Sequence, residues 1–228
     1  RSSLLIIMEL PDVGREKLEK MVPIEARKYI PVPISEVELD WWVIPRVSEA
    51  KVAGEHQSSV EVLLAAIHHD ILGQYKEVLK TLEREASFFE IETFSALRSV
   101  FGGDLSPTVI IDLGAGTTKV AIVDYGVVRL AHTISKGAQD ITLSISRALG
   151  VAFDKAEEIK REVGLVESVS GERVTGLVST IIEYIFSEVT KVLTIYQHKQ
   201  RRAVSKIVLI GGGALLKGIL ETAGRSFE

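Results

Sequence analysis

The chain has 228 residues, of which 46% are hydrophobic and 25% are charged, so it is long enough for one or two domains with sizeable cores. Its formal net charge of −4 argues against a broad surface for nucleic acid or for an anionic membrane. The chain contains no cysteine, which excludes disulfides and Cys-ligated metals, and its apolar runs are far shorter than the ~20 residues that span a bilayer. We therefore expect a cytosolic protein with no nucleic-acid partner and no direct membrane insertion.

The first 92 residues predict a compact α+β domain. Hydrophobic periodicity predicts four strands and two helices there, the strands at 3–9, 37–44, 59–66 and 88–92 and the helices at 15–29 and 71–84. A short helix at 94–100 follows. Pro23 is expected to kink or divide the first helix because proline lacks a backbone N–H. The polar segment at 47–57 is expected to form a loop or a hairpin tip.

Two short stretches in this part leave alternatives open. His68 and His69 raise the idea of a metal site, but adjacent histidines do not share a helical face and no further ligand lies nearby, so Asp70 is predicted as a helix N-cap instead. Trp41 and Trp42 should point to opposite faces of a strand. We expect one of them in the core and the other partly exposed, and a partner-binding face is the alternative.

After a glycine-rich junction, the pattern changes to that of an α/β core. Strands are predicted around a glycine turn that begins at Gly114, and a further strand is predicted at 127–134. Helices are predicted at 138–149, 153–163 and 174–193, the last with an extension to Gln200 as the alternative, followed by a strand at 205–210 and a helix at 215–223. Gly114 and Gly116 let the backbone approach an anion, and successive N–H groups in such a turn can hold a phosphate. Hydroxyl donors and a positive charge follow in Thr117, Thr118 and Lys119.

Two further features at the ends of the predicted strands are typical of ligand binding. Asp112 ends the strand before the first turn, where a carboxylate can order Mg²⁺ and its waters. Gly211, Gly212 and Gly213 follow the last strand and make a second place where backbone can lie against a ligand. The alternative for the first turn is a plain β-hairpin, and the alternative for the second is an ordinary helix entry.

The order of the two turns resembles the actin/Hsp70/hexokinase ATPase fold, in which a second phosphate loop precedes an adenosine motif. Other segments resemble the PilM family of actin-like type IV pilus assembly proteins, to which FtsA is similar in architecture: Glu9-Leu10-Pro11, Glu25-Ala26-x-x-Tyr29-Ile30-Pro31, Asp40-Trp41, Lys136-Gly137-Ala138-Gln139-Asp140-Ile141-Thr142 and Ala156-Glu157-x-x-Lys160. The resemblance covers nearly the whole chain.

The resemblance implies a fold and a domain division. The fold is α/β, an actin-like ATPase (ribonuclease H-like) lobe with an inserted α+β subdomain of the SHS2 type, called 1C. Residues 1–92 would be the 1C-like subdomain, 93–104 the connection between lobes, and 105–228 the 2A/2B nucleotide-binding lobe.

The resemblance also implies an ATP and Mg²⁺ site. The β- and γ-phosphates would lie on the first turn, formed by Gly114, Ala115, Gly116, Thr117, Thr118 and Lys119. Asp112 would order the Mg²⁺ through water, and Glu157 and Lys160 would reach the ribose and adenine. The adenosine would pass over the second turn, with these residues beneath or beside it: Gly211, Gly212, Gly213 and Lys217.

One part of the family pattern is not found in this sequence. No Asp-x-Gly-Ser/Thr turn, the first phosphate loop of the fold, precedes Thr108, and Ala138 stands where a second glycine is common. We therefore expect that the chain is a truncated form that lacks part of the phosphate clamp at its N-terminal side, and that this stretch alone binds nucleotide weakly.

The implied function is a nucleotide-dependent assembly protein of the type IV pilus, cytoplasmic and peripheral to the inner membrane through its partners. The partners would be the N-terminal peptide of a PilN-type protein, docked beside the 1C-like subdomain, and more distantly the pilus motor or inner-membrane assembly proteins, with self-association as a further expectation. No base that activates water is evident, so no catalytic residue is assigned and ATPase activity is expected to be weak at most. The alternatives are an FtsA-like division protein that polymerises at the membrane, and a sugar or acetate-type kinase.

Overall fold

The computed structural model describes residues 3–45, 59–100, 102–103, 105–166 and 172–227. The contacts divide the chain into two compact units, Arg1–Ser99 and Val100–Glu228, called here the N-terminal and C-terminal units. This division falls inside the segment 93–104 that the sequence predicts as a connection. The loop predicted at 47–57 lies outside the described residues.

The N-terminal unit is a three-stranded antiparallel sheet with helices. Its elements are β1 (Ser3–Pro11), α1 (Arg15–Ala26), a 3₁₀ turn (Ile34–Glu36), β2 (Val37–Val43), β3 (Ser59–His68), α2 (His69–Thr81) and α3 (Glu92–Val100). The strand order is β1-β3-β2, so β3 is central and the other two described strands lie at the edges.

The core of this unit lies between α1 and one face of the sheet. Leu18, Val22 and Ala26 recur at helical spacing and are buried. They pack on alternate sheet residues that share one face, namely Met8, Leu10, Val60, Val62, Leu64 and Ala66. The helix continues through Pro23 as a single element of 12 residues, so proline does not divide it.

The two tryptophans are arranged as the alternation of side chains predicts. Trp41 packs against the core on the α1 side of the sheet. Trp42 is 37% exposed and its ring lies 5.5 Å from that of Phe94 in α3. The two side chains therefore lie on opposite faces as expected, but Trp41 is half-buried against the core and not fully buried within it.

Two predictions for this unit were wrong. Residues 88–92 form no strand. Phe88 is 77% exposed, and Glu90, just before α3, forms an ion pair with Arg98 of that helix. Asp70 is not the N-cap of α2, because β3 continues to His68 and the helix begins at His69. Asp70 instead lies in the first turn, where its negative charge is favourable to the helix dipole.

The C-terminal unit is a four-stranded mixed sheet with helices. Its elements are β4 (Thr108–Leu113), β5 (Thr118–Asp124), β6 (Val127–Ile134), α4 (Ala138–Leu149), α5 (Phe153–Val163), α6 (Glu172–Gln200), β7 (Lys206–Ile210), a 3₁₀ turn (Gly212–Leu215) and α7 (Ile219–Phe227). The strand order is β6-β5-β4-β7, in which only the β4–β7 pairing among the described strands is parallel. The helix predicted at 215–223 begins later, because the 3₁₀ turn precedes it.

The long helix α6 crosses the sheet and is fixed at its C-terminal end by a buried polar cluster. The Tyr196 hydroxyl donates to Asp124 Oδ2 at 2.8 Å, and Arg202 Nη1 lies 3.5 Å from Asp124 Oδ1. Burial raises the pKa of the Tyr196 phenol, and the hydrogen bond to the Asp124 carboxylate raises it further. Within the described part of the chain, no helix combines the length and the apolar composition needed to cross a membrane.

The core of the N-terminal unit can be tested separately, because both tryptophans of the chain, Trp41 and Trp42, lie in this unit. Replacing Leu18 with alanine removes a side chain that is 3% exposed, so we expect a loss of about 2–5 kcal/mol in the free energy of unfolding. Urea denaturation followed by tryptophan fluorescence measures it. Ile24→Ala on the same helix is the control, since Ile24 is 64% exposed and should change stability by less than about 0.5 kcal/mol. Equal losses in both variants would contradict the assignment of the buried face.

Candidate functional site

The first glycine turn connects β4 to β5. Leu113 and Thr118 are cross-strand neighbours that flank it, and the Gly114 N–H donates to Thr117 O at 3.1 Å, which closes the turn. The amide N–H groups of Ala115, Gly116 and Thr117 donate to no acceptor in the described part of the chain. Consecutive amides of this kind, at an exposed turn, are the donors of a typical anion-binding concavity.

The second glycine turn lies directly beside the first. β7 pairs in parallel with β4, with Ile210 opposite Asp112, so Gly211 emerges next to the start of the first turn. A Cβ atom on Gly211 would contact the Asp112 carboxylate and lie 2.8 Å from Leu113 O, and the backbone φ of Gly211 is +84°. Only glycine fits this position without strain. The carboxyl ends of two neighbouring parallel strands are where open α/β sheets bind ligands.

The N-terminus of α4 packs against the first turn. The Ala138 N–H donates to Gly114 O and the Gln139 N–H to Ala115 O, both at 2.9 Å. Gly137 permits this approach, since a Cβ there would contact the Ala115 carbonyl and lie 2.7 Å from Gly114 O. These first helical N–H groups have no partner within their own helix, and here the turn supplies the acceptors.

A buried hydrogen-bond cluster joins α5 to α4. Lys160 is 6% exposed, and its Nζ donates to Glu157 Oε2 at 2.6 Å, to Thr142 Oγ1 at 3.1 Å and to Ala138 O at 3.3 Å. Partial burial raises the pKa of the Glu157 carboxyl, but the hydrogen bonds from Lys160, Thr142 and Arg161 outweigh it, so the net pKa is lowered. Glu157 is therefore ionised at neutral pH.

These elements enclose a cavity of about 700 Å³ within the C-terminal unit, a volume in the usual range for small-molecule sites. Its walls come from both glycine turns, from α4 and α5, and from the inner face of α6. The lining residues are Leu113, Ala115, Ala138, Gln139, Ile141, Phe153, Glu157, Lys160, Arg161, Ile182, Ile185, Gly212, Gly213, Leu215 and Leu216.

Apart from Thr118 and Lys217, the predicted site residues divide into two groups. Five of them line the cavity: Ala115, Glu157, Lys160, Gly212 and Gly213. Others lie at the adjoining strand ends and turns without lining it: Asp112, Gly114, Gly116, Thr117, Lys119 and Gly211. Their role in binding a nucleotide stays a prediction.

Two predicted ligands are engaged in other contacts. Thr118 is fully buried and its hydroxyl donates to Lys136 O at 2.9 Å, which ties β5 to the segment before α4. Lys217 Nζ donates to Glu162 O at 2.8 Å, at the C-terminal end of α5 and outside the cavity lining.

The sequence analysis missed several lining residues. Gln139 lies within a recognised segment and Arg161 directly follows one, so these segments were the available signal. Ile182 and Ile185 had no such signal, because buried isoleucines of a long helix are typical of any core.

The predicted metal ligand is a single carboxylate. Asp112 is half-buried at the end of β4, beside both turns. No group of three or more His, Cys, Asp or Glu side chains among the described residues is arranged to hold a metal. A lone carboxylate fits Mg²⁺, which usually keeps several waters and takes its other ligands from phosphates.

The fold and the paired glycine turns define an actin-like protein. The chain is similar to the PilM–PilN type IV pilus biogenesis complex (TM-score 0.80, 22% identity, 99% of this chain and 64% of that chain). It is also similar to MreB5 of Spiroplasma citri bound to AMPPNP (TM-score 0.57, 21% identity, 71% of this chain and 58% of that chain). Among curated proteins, cell division protein FtsA of Neisseria meningitidis serogroup B is 28% identical over 140 residues, which are 52% of this chain and 34% of FtsA.

The family is more specific than the fold. The family model for type IV pilus assembly protein PilM matches residues 6–226, and the chain belongs to that family. The chain spans 34% of the length of the FtsA relative and 64% of the solved PilM–PilN chain that it matches.

The close approach of the two turns makes Gly211 sensitive to substitution. Gly211→Ala should lower the free energy of unfolding by about 1–3 kcal/mol, because its Cβ would contact Asp112 and Leu113 and its φ is positive. Urea denaturation followed by far-UV circular dichroism measures this loss. Gly212→Ala is the matched control: a Cβ there meets open space, and we expect a change below about 0.5 kcal/mol. Equal stability of the two variants would show that the turns are not in contact.

Proposed function

We propose that the C-terminal unit binds ATP with Mg²⁺ in the 700 Å³ cavity and that the bound nucleotide controls pilus assembly. The observation that carries this proposal is the meeting of two glycine turns, about a hundred residues apart in sequence, at the carboxyl ends of parallel neighbours β4 and β7. Membership in the PilM family and the actin-like fold support it. MreB5 of Spiroplasma citri, which shares the fold, has been solved with AMPPNP and with ADP.

The phosphates would lie on the first turn and the nucleoside in the cavity. The free amides of Ala115, Gly116 and Thr117 are suited to phosphate oxygens. Bound Mg²⁺ would neutralise phosphate charge, with Asp112 holding its waters. The apolar walls from Phe153, Ile182 and the 3₁₀ turn suit a planar base, and Glu157 suits the ribose hydroxyls as an ionised acceptor.

The nucleotide would act as a conformational ligand more than as a substrate. No carboxylate or histidine in the cavity lining other than Glu157 is available as a base, and Glu157 is held by Lys160, Thr142 and Arg161. A base committed in this way activates water poorly. ATPase activity would therefore be weak, and the binding energy of ATP would select one conformation of the protein.

The N-terminal unit would receive the N-terminal peptide of a PilN-type protein. Its sheet has two edge strands, β1 and β2, among the described residues, and extended peptides add to such edges through backbone hydrogen bonds. The helix α2 buries no residue, and Tyr75 and Val78 on it are 60% and 58% exposed. Exposed apolar side chains that cluster in this way are typical of binding surfaces. Recruitment by membrane-bound partners would place the protein at the cytoplasmic side of the inner membrane.

The nucleotide proposal can be tested with Gly212→Glu. Gly212 lines the cavity and has open space at its Cβ position, so the fold should tolerate glutamate while its carboxylate repels the phosphates. We expect the affinity for a fluorescent ATP analogue with Mg²⁺ to fall at least about tenfold, since like-charge contacts cost several kcal/mol.

Gly176→Glu is the matched control for that experiment. Gly176 is exposed on α6, also has open space at Cβ and does not line the cavity, so the affinity should be unchanged. Equal affinity of Gly212→Glu and the unaltered chain would place the nucleotide elsewhere and overturn the proposal.

The docking proposal can be tested by hydrogen exchange with mass spectrometry. Addition of a PilN-type N-terminal peptide should slow exchange within residues 1–92, because an added strand or a covered helix protects backbone amides. A peptide of the same composition in scrambled order is the control. Protection confined to residues 105–228 would contradict docking on the N-terminal unit.

A further inference from the structure

Asp140, in the first turn of α4, is a charged residue that the proposed function does not use. Its Oδ1 accepts from Lys136 Nζ at 2.7 Å, and its Oδ2 accepts from the Gly137 N–H at 3.0 Å. Partial burial raises the pKa of the Asp140 carboxyl, but the hydrogen bonds from Lys136 and Gly137 outweigh it, so the net pKa is lowered. Asp140 is therefore ionised at neutral pH, and an ionised acceptor forms the stronger hydrogen bonds.

Asp140 holds both peptide groups that flank Gly137. Its side chain accepts from the Gly137 N–H, which belongs to the same planar peptide group as the Lys136 carbonyl. Its own backbone N–H donates to the Gly137 carbonyl at 3.1 Å, and that carbonyl shares a peptide group with the Ala138 N–H. One residue therefore restricts the orientation of two successive peptide groups.

Each of these two peptide groups is bonded to one end of the first glycine turn. The Thr118 hydroxyl, at the end of the turn, donates to the Lys136 carbonyl at 2.9 Å. The Ala138 N–H donates to the carbonyl of Gly114, at the start of the turn, also at 2.9 Å. Gly137 lies between these bonds and close to the turn, since a Cβ there would lie 2.7 Å from Gly114 O. The position of Gly137 thus influences both ends of the turn.

The start of the turn also presents a donor that is suited to an anion. The Gly114 carbonyl and the Ala115 N–H belong to one trans peptide group and point in opposite directions. Because the Ala138 N–H holds this carbonyl toward α4, the Ala115 N–H points away from α4. It is one of the three amides of the turn that donate to no acceptor in the described part of the chain. Its direction therefore depends on the contact that Asp140 supports.

We propose that Asp140 is a positioning residue for the phosphate-binding amides of the first glycine turn, acting through the two peptide groups that flank Gly137. Direct contact with the nucleotide is not part of this role, because Asp140 lines a separate groove between α4 and α6 and not the 700 Å³ cavity. The consequence for nucleotide rests on the function proposed above, whereas the coupling of Asp140 to the turn is a property of the protein alone.

Two substitutions at Asp140 separate its hydrogen bond from its charge. Asp140→Ala removes both the acceptor and the negative charge. Asp140→Asn removes the same charge but keeps a carbonyl oxygen that can accept from the Gly137 N–H. Lys136→Met removes the ion pair and leaves the bond between Asp140 and Gly137 in place. A role that acts through the hydrogen bond predicts an effect of Asp140→Ala and rescue by Asp140→Asn.

The coupling is tested first without nucleotide, by amide hydrogen exchange measured by NMR. In Asp140→Ala, the Ala138 amide, which Asp140 does not itself bind, should exchange about tenfold faster, as expected for loss of a hydrogen bond to a charged group. In Asp140→Asn and Lys136→Met, its exchange should stay within about threefold of that in the unaltered chain. Amides in the middle of α6 are the internal reference and should be unchanged, because the effect is local.

Three results of that experiment would overturn the inference. The first is unchanged exchange at Ala138 in Asp140→Ala. The second is equal acceleration in all three variants, which would assign the effect to the ion pair and not to the bond with Gly137. The third is loss of the far-UV circular dichroism of Asp140→Ala, because Asp140 would then support the whole unit and not the turn.

The consequence for binding is tested by comparing ATP·Mg²⁺ with adenosine. Asp140→Ala should bind ATP about tenfold more weakly while its adenosine affinity stays within about threefold, because the phosphate amides lose their orientation. Removal of a negative charge would by itself favour an anionic ligand, so this loss cannot come from the change in charge. Asp140→Asn, which has the same net charge as Asp140→Ala, should bind both ligands as the unaltered chain does.

The outcomes separate this inference from the proposed function. Equal losses for ATP and adenosine in Asp140→Ala, or an unchanged ATP affinity there, would overturn the positioning role. If the unaltered chain binds no ATP while Ala138 exchanges faster in Asp140→Ala, the proposed function fails and the coupling stands. If the unaltered chain binds ATP while the exchange at Ala138 is unchanged, the coupling fails and the proposed function stands.

Discussion

The parallel pairing of β4 with β7 is the interaction on which the candidate site depends. It joins residues about a hundred positions apart, and its register sets Ile210 beside Asp112. Both glycine turns therefore begin at the same end of the sheet, where β4 and β7 have their carboxyl ends. Closing a loop of this length costs conformational entropy, which the ladder and the buried faces of the two strands offset. The elements between these strands in sequence run from β5 to α6, and α4, α5 and α6 among them contribute to the walls of the cavity.

Close backbone contacts at that end of the sheet restrict the conformations of the two turns. Gly211 lies against Asp112 and Leu113, and Gly137 lies against Gly114 and Ala115. The N-terminus of α4 uses its unpaired amides to hold the first turn, and the turn then presents its own amides on the other side. The N-terminus of a helix thus supports the glycine turn here. Under the proposed function, this would differ from the usual arrangement, in which the helix amides themselves contact the anion.

The two units of the chain have different structural features, which suit them to different kinds of binding. The C-terminal unit has a cavity with a few oriented polar groups, typical of a small-molecule site. The N-terminal unit has a small core on one face of its sheet, two edge strands and a helix whose residues are all at least partly exposed. Under the proposed function, the cavity would take the ligand that sets the conformation of this PilM-family chain, and the N-terminal unit would present the surface that partners recognise.

Local sequence by itself determined most elements of the C-terminal unit, including β6, α4 and α5, because strong periodicity and clear glycine boundaries left little choice. It also identified both glycine turns and their order, since glycines that directly follow a β-branched strand are typical of a tight turn. Local sequence failed where long-range pairing decides the structure. Residues 88–92 have strand-like composition but pair with none of the described strands, and β3 runs directly into α2 because its pairing with β2 continues to His68. Only the tertiary structure decided that the turns meet, that Thr118 and Lys217 are engaged elsewhere, and that Lys160 donates to Glu157, Thr142 and Ala138. Each of these depends on atoms from segments far apart in the chain, and hydrogen-bond capacity can be counted only when those atoms have been brought together.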